Sequence, residues 1–266
     1  MKYPSLLAGI FAFLAIQTAQ AQMIGVDFSG GARTPISGTE TAGVVAQQNW
    51  NNLSTTSGSL SSVIDNSNTT VSGLTVTWGT DGSNDFWPFG GGAFANPGDT
   101  NLFSDTLQSR TSTPDGTQPW RVTFSVTGIT YASYDIYVYT AGNTGDVGLV
   151  NLNGTWSGNA PVGGTSTYFT QTGGAASSFI EANPAQTTYS TTAAAANYVL
   201  FTDVTGSSFT LNAQPGSNDG IVGFQIVDNA TAVPEPSTCA LLLMGVGLLG
   251  LSPLRGLVRR QALAVA

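Results

Sequence analysis

The chain is 266 residues long and sets seven Lys or Arg against fifteen Asp or Glu, a formal charge of −8 at pH 7. It contains no histidine, which excludes the Ser-His-Asp triad, the Cys-His pair and every His-based zinc site. Charged residues are only 8% of the whole, so solubility rests on Ser, Thr, Asn and Gly, and the acidic balance excludes nucleic acid, whose phosphates it repels.

At the start, Lys2 supplies a positive charge, residues Leu6 to Ile16 form an apolar run, and Ala19-Gln20-Ala21 is an A-x-A site. This order predicts a signal peptide over residues 1–21, cut after Ala21, and export through the Sec machinery. The apolar run is too short for a lasting membrane span. No cysteine follows it, so a lipoprotein signal is excluded. Residues 22–228 then read as one domain and 229–232 as a linker.

Between the two terminal segments, Arg33, Arg110 and Arg121 face twelve aspartates with Glu40 and Glu181, a formal charge of −11. The single cysteine, Cys239, lies near the C-terminus. No disulfide can staple the domain, and its stability must come from its core. Apolar residues recur with period two in Thr75–Trp78, Arg121–Val126, Asp135–Tyr139 and Ser208–Asn212. That period is the mark of half-buried strands. Ile221–Val227 is more continuously apolar and predicts a central strand. Further strands are expected at Ile24–Phe28, Leu60–Ile64, Val147–Leu152, Thr167–Thr170, Ser178–Glu181 and Tyr198–Thr202. Val44–Leu53 and Leu102–Leu107 break the pattern and predict single helical turns. The predicted class is all-β, a single antiparallel β-sandwich of jelly-roll type.

Three groups of residues are candidates for chemistry. Asp81, Asn84 and Asp85 sit on a Gly-bearing loop with Asp99 and Asp105 downstream, and calcium takes six to eight oxygen ligands from such side chains. The competing reading is a turn in which Asp and Asn bond their own backbone. No other cofactor is expected. Phe86, Trp87 and Phe89 surround Pro88 in an apparent loop, and Trp156 follows the turn residues Asn153 and Gly154. Aromatic faces of this kind stack on sugar rings; the competing reading is a plug at one end of the core. Trp78 and Trp120 read as core, and Trp50 as packing a helical turn onto the sandwich with Asn51 and Asn52 as caps. A glycosidase needs two positioned carboxylates. That chemistry survives the lack of histidine, but no local motif marks the pair.

After Asp228 the chain changes character. Pro234 and Pro236 bracket Glu235 and bar any helix from running through them. From Ser237 to Leu254 there are eighteen residues without a charge, near the lower limit for a bilayer-spanning helix. Arg255, Arg259 and Arg260 follow and would hold that end on the cytoplasmic side. A core helix would show a polar face, and this segment has none.

The order of Pro234-Glu235-Pro236, hydrophobic helix and arginine cluster resembles the PEP-CTERM sorting signal of Gram-negative bacteria, over residues 233–260, with 261–266 as a short tail. The resemblance implies recognition by an exosortase, processing near the Pro-Glu-Pro motif, transient anchoring in the inner membrane, and association with the cell envelope and exopolysaccharide. More loosely, Val26-Asp27-Phe28, the run Gln48–Leu53, the run Tyr134–Tyr139 and the closing run Gly220–Val227 look like exported bacterial sandwiches of the galactose-binding-like type. The expected function is that of an envelope or matrix β-sandwich without enzymatic activity. The alternatives are a carbohydrate-binding module acting on exopolysaccharide and, third, a polysaccharide-acting enzyme.

Overall fold

The computed structural model describes residues 21–30, 33–80, 83–88, 92–110, 121–157, 160–173, 176–214 and 220–230. They fall in one compact unit, Ala21–Ala230. The signal segment, the linker end, the hydrophobic tail with its sorting residues, Trp120, Asp81 and Phe89 lie outside the described residues. Among the described residues, no helix is long and apolar enough to cross a membrane.

The chain runs through β1 (Met23–Phe28), β2 (Asn51–Leu53), β3 (Gly58–Leu60), β4 (Thr75–Thr80) and β5 (Ser83–Pro88). A short helix, α1 (Pro97–Leu102), precedes β6 (Asp105–Arg110), β7 (Val122–Thr127), β8 (Tyr134–Ala141) and β9 (Val147–Leu152). Then come β10 (Thr155–Ser157), β11 (Ala160–Val162), β12 (Thr165–Gln171), β13 (Ala195–Ala196), β14 (Tyr198–Val204), β15 (Ser208–Gln214) and β16 (Gly220–Asp228).

Two sheets face each other. The first has the order β14-β8-β16-β1-β2, with β6 joining β16 and β5 outside β6; the second has the order β13-β12-β9-β15-β7-β4-β3. The frame within them is β1-β16-β8-β14 against β7-β15-β9-β12. Along the chain, β1, β7, β8 and β9 change sheet at each step, β12 stays with β9, and β14, β15 and β16 change sheet again. That alternation is the jelly roll. As its sequence predicts, β16 is central, paired to β1 on one side and β8 on the other.

The expectation of purely antiparallel sheets is corrected at two edges. β2 lies parallel to β1, and β13 lies parallel to β12. In each case more than twenty residues intervene, enough to carry the chain back along the sheet and lay a short strand in the same direction. Other boundaries also differ. Phe86-Trp87-Pro88 belongs to an edge strand, not a loop; β5 pairs only β6, and Pro88 is its last residue, an edge position where proline is tolerated. The helix precedes Leu102–Leu107 instead of filling it. Pro97 opens it, and the Asn96 side chain accepts from Gly98 N at 3.1 Å, a favourable start for so short an element. Val44–Leu53 holds a turn closed by the Ala42–Gln47 bridge and then β2. Ser178–Glu181 contributes a single bridge, Glu181 to Tyr198.

Alternation places the core. Val122, Phe124 and Val126 are buried within the sandwich while Thr123, Ser125 and Thr127 alternate with them on the outer face. The interior is bound by an aromatic chain: Phe28 to Phe124 at 5.0 Å, Phe124 to Phe224 at 5.7 Å and Phe224 to Phe209 at 6.3 Å between ring centres. A second apolar cluster covers the outer face of the first sheet. It joins Trp50, Leu102, Phe103, Tyr139, Tyr198 and Val222. β1 is consequently buried on both faces. Gly25 leaves room for this cover, since a Cβ there would sit 2.6 Å from Gln47 Nε2 and 2.7 Å from the Trp50 ring.

Trp50 thus packs onto the sheet, as the sequence predicts, but from the chain leading into a strand and not from a helical turn. Asn51 and Asn52 are not caps. Asn51 donates to the carbonyls of Gly25 and Ile64 and accepts from Ile64 N, and Asn52 donates to Ile36 O. They fasten the covering loop to the sheet edge. A buried polar chain does the same further along. Tyr139 accepts from Val44 N and donates to Gln225 Oε1, and Gln225 Nε2 donates to Val45 O and Gln47 Oε1.

Candidate functional site

The outer face of the second sheet is polar, exposed at Thr77 and covered at Asn151 and Asn212. Register aligns Thr77, Ser125 and Thr210 in one row across β4, β7 and β15, and Gly79, Thr123 and Asn212 in the next. Every member is small and uncharged. Asn212 continues to Asn151 on β9 and Ser166 on β12. The face is therefore a flat field of hydroxyl and amide groups.

The β10–β11 hairpin folds against this field. Asn153 adopts φ 59°, a conformation that asparagine tolerates better than most residues. Its N–H donates to Thr210 O at 2.8 Å, and its Oδ1 accepts from Thr210 N at 2.9 Å. Asn212 Nδ2 donates to Gly154 O at 2.9 Å, and Thr123 Oγ1 donates to Asn212 Oδ1 at 3.2 Å. Asn151 Nδ2 reaches Gly163 O and Ser166 Oγ. Gly154 is required, because a Cβ there would lie 2.1 Å from Asn151 Oδ1. The hairpin is thus fixed to the sheet face from both sides.

This arrangement forms a cleft of about 440 Å³ lined by Arg121, Asn153, Thr155, Trp156, Thr210 and Asn212. The volume lies in the usual range of small-ligand sites, about 300–1,000 Å³. Trp156 is half-buried, and the Arg121 guanidinium carbon lies 5.1 Å from the centre of its ring. Cation and ring hold each other in place at that distance. The side chains around the cleft offer an aromatic surface, the Asn153 amide and two hydroxyls, with the Arg121 guanidinium packed on the ring; the Asn212 amide is buried and bonded to Gly154 and Thr123. That set suits a polyhydroxylated ring, with apolar C–H on its faces and donors and acceptors at its edge. Among the described residues, no carboxylate lines the cleft.

The other candidate residues are spread over the molecule. Phe86 is half-buried and packs against the sandwich core, and its ring fills the space that a Cβ on Gly30 would need. Trp87 is 38% exposed on the edge strand β5, opposite Thr106. Trp87 and Trp156 stand on different sheets and not on one platform. Of the calcium loop, Asp85 is exposed on β5 opposite Gln108, Asn84 lies beside it opposite Ser109, and Asp81 is outside the described residues. Asp99 accepts from Gly43 N at 2.8 Å and fixes α1 to the covering loop. Among the described residues, no three acidic side chains group around a point that would hold a metal.

Two carboxylates come together where the sequence suggests none. Asp27 is 1% exposed, near Asp105, which is equally sealed. Neither oxygen of Asp27 makes a well-formed hydrogen bond. Burial pushes its carboxyl well above the ordinary range, against partial relief from Ile36 N–H and Ser29, and Asp105 pushes it further up. The pair lies beneath the cover of the first sheet, where no polymer reaches it.

Arg121, Asn153, Thr210 and Asn212 escape the sequence reading. The signals for them were the outward phase of β15, the Asn153-Gly154 turn, and the scarcity of cations in the domain.

The tail has a sequence match of its own. Residues 232–260 match the PEP-CTERM protein-sorting motif. The motif marks an exported protein of the cell envelope and implies processing by an exosortase. No curated protein matches the chain in sequence. Among solved structures, the chain is similar to the isomalto-dextranase of Arthrobacter globiformis T6 complexed with panose, at 14% identity and a TM-score of 0.30, over 58% of this chain and 23% of that one. It is similar to TmCBM61 in complex with beta-1,4-galactotriose at 11% identity and a TM-score of 0.26, over 57% and 84% of the two chains. The K2 cleaved adhesin domain of Lys-gingipain gives 14% identity and a TM-score of 0.25, over 57% and 85%. Likenesses this slight say nothing of ligand or activity.

Proposed function

We propose that the protein is a non-enzymatic component of the cell envelope or extracellular matrix whose sandwich holds exopolysaccharide in the cleft at Trp156. The observation that carries this reading is the half-buried Trp156 ring, fixed beside Arg121 and rimmed by Asn153, Thr210 and Asn212. Among the described residues the lining is without a carboxylate, which favours binding over hydrolysis, a reaction that needs two. Titration of residues 22–230, the unit that contains every described element, against a panel of soluble glycans tests it. The wild type binds a subset, and Trp156→Ala weakens that binding by about ten-fold or more, as expected for a central aromatic contact. Unfolding free energy changes by less than about 1 kcal/mol, because the ring lies outside both cores. A blank panel would return the body to a purely structural role.

The finer route to the envelope belongs to the same proposal: Sec export, cleavage after Ala21, a Gram-negative host, and transient anchoring of the C-terminal helix in the inner membrane. Cells with and without the exosortase should differ in the mature C-terminus by mass spectrometry. The wild type lacks Arg255, Arg259 and Arg260, and the deletion strain retains them. An intact arginine-bearing tail in both would refute processing.

A further inference from the structure

We infer that the chain end released by cleavage after Ala21, the α-ammonium of Gln22, is seated between the Asp65 turn and the end of β16, so that removal of the signal fastens β1 in place. This rests on the cleavage reading given above and adds what receives the new end.

The start of β1 is already tied down. The Gln22 carbonyl accepts from Asp228 N at 3.0 Å. Met23 donates to Asn66 Oδ1 at 3.0 Å and accepts from Asn66 N at 2.9 Å. Gln22 Nε2 donates to Asp65 Oδ2 at 2.8 Å. The other oxygen of Asp65 is taken up inside its own turn, by Ser67 N, Ser67 Oγ and Thr69 N. Burial works against the Asp65 charge, but the bonds from Ser67, Thr69 and Gln22 outweigh it and hold the carboxyl below its ordinary range.

The Gln22 side chain is short enough to place its backbone nitrogen within about 9 Å of the Asp65 carboxylate, less than the Debye length at moderate salt. Asp228 faces Gln22 from β16. Both carboxylates act on one neighbour: burial, then Asp228 and Asp65, push the Tyr131 hydroxyl above its ordinary range. That hydroxyl is sealed without a hydrogen-bond partner. Two carboxylates and an unused phenolic oxygen thus lie at the start of β1, a set that suits a positive group with three donors. In the uncut chain the Gln22 nitrogen is a neutral amide. Cleavage makes it that positive group. The same contacts oppose the usual reaction of an N-terminal glutamine, attack of its free amine on its own Cδ with loss of ammonia. The side-chain amide is bound to Asp65, and a protonated amine is no nucleophile.

Lys2 is the only lysine of the chain and leaves with the signal, so the Gln22 amine is the one primary amine of the body. An amine-directed acylating reagent reports on it alone. Residues 1–230 are exported behind their own signal, and the purified body should begin at Gln22 without having lost ammonia. At pH 7.5 its acylation should be about three-fold slower, or more, than after unfolding in urea, because nearby carboxylates raise the amine above its ordinary range. Asp65→Asn should remove most of this delay, and added salt should shrink it. Acylation erases the charge and should lower the melting temperature at pH 7 by about 1–3 °C. That difference should vanish as pH rises through the raised value of the amine. If Asp65→Asn loses its fold, Asp228→Asn and the salt series carry the test. No delay in the folded wild type, a delay that neither variant nor salt reduces, or a body lighter by one ammonia overturns the seating and leaves the cleavage reading standing. A mature chain that begins elsewhere overturns both.

Discussion

Phe124→Ala will destabilise the body by about 3–5 kcal/mol, the range for deleting a large aromatic side chain from a packed core. Phe124 is fully buried at the middle of β7, and its ring touches Phe28 on β1 and Phe224 on β16. It bridges the two sheets in the middle of the interior. Without a disulfide, little else can offset the cavity. Domains commonly have about 5–15 kcal/mol of net stability, so one substitution removes a large share. Urea unfolding of residues 22–230 measures it. The midpoint should fall strongly at an unchanged slope. Thr77→Ala, on the exposed face of the adjacent strand, should stay within about 0.5 kcal/mol. A Phe124→Ala loss below about 1 kcal/mol would mean that the aromatic chain is not the centre of the core.

Asp27→Asn will stabilise the body at neutral pH by about 1 kcal/mol or more, the cost of either holding the Asp27 proton there or burying its charge. The sign follows from the direction of the shift. Burial raises the folded-state carboxyl well above its ordinary value, so the folded protein holds its proton to higher pH than the unfolded chain does. Stability is then full below the ordinary carboxylate range and falls as pH rises from there toward the folded value. Asparagine removes this term. The gain from Asp27→Asn should be present at pH 7 and vanish as the pH is lowered through the ordinary carboxylate range, about pH 4. Melting temperatures of both proteins across that interval check it. A destabilised Asn variant at pH 7 would show that the Asp27 charge has a favourable partner.

The strands with the strongest alternation are legible in the sequence itself. β7, β8, β15 and β16 declare themselves, and Val147–Leu152 is matched residue for residue by β9. The two parallel edges are hidden because β2 and β13 are three and two residues long, too short to show any period. Pro97 is hidden for another reason. Proline reads as a break, yet it is well suited to the first turn of a helix. The second apolar cluster does leave a trace: Tyr137 and Tyr139 alternate with Ile136 and Val138, so β8 has no polar face and the first sheet has to be covered on both sides. At the cleft, the turn at Asn153-Gly154 singles out Trp156. Its partners Thr210 and Asn212 lie more than fifty residues away. Period two says only that they point outward, and the hairpin they support becomes visible once Asn153 and Gly154 are seen bonded to them.

The tail sends the protein to the envelope, and the Trp156 cleft is what the body would bring there. The most direct measurement of that claim is co-sedimentation of residues 22–230, wild type beside Trp156→Ala, with exopolysaccharide purified from cells that make the protein. The account predicts that the wild type pellets with the polymer and that the variant, equally folded, stays in the supernatant. Equal partition of the two proteins, whether both pellet or both stay soluble, would contradict it.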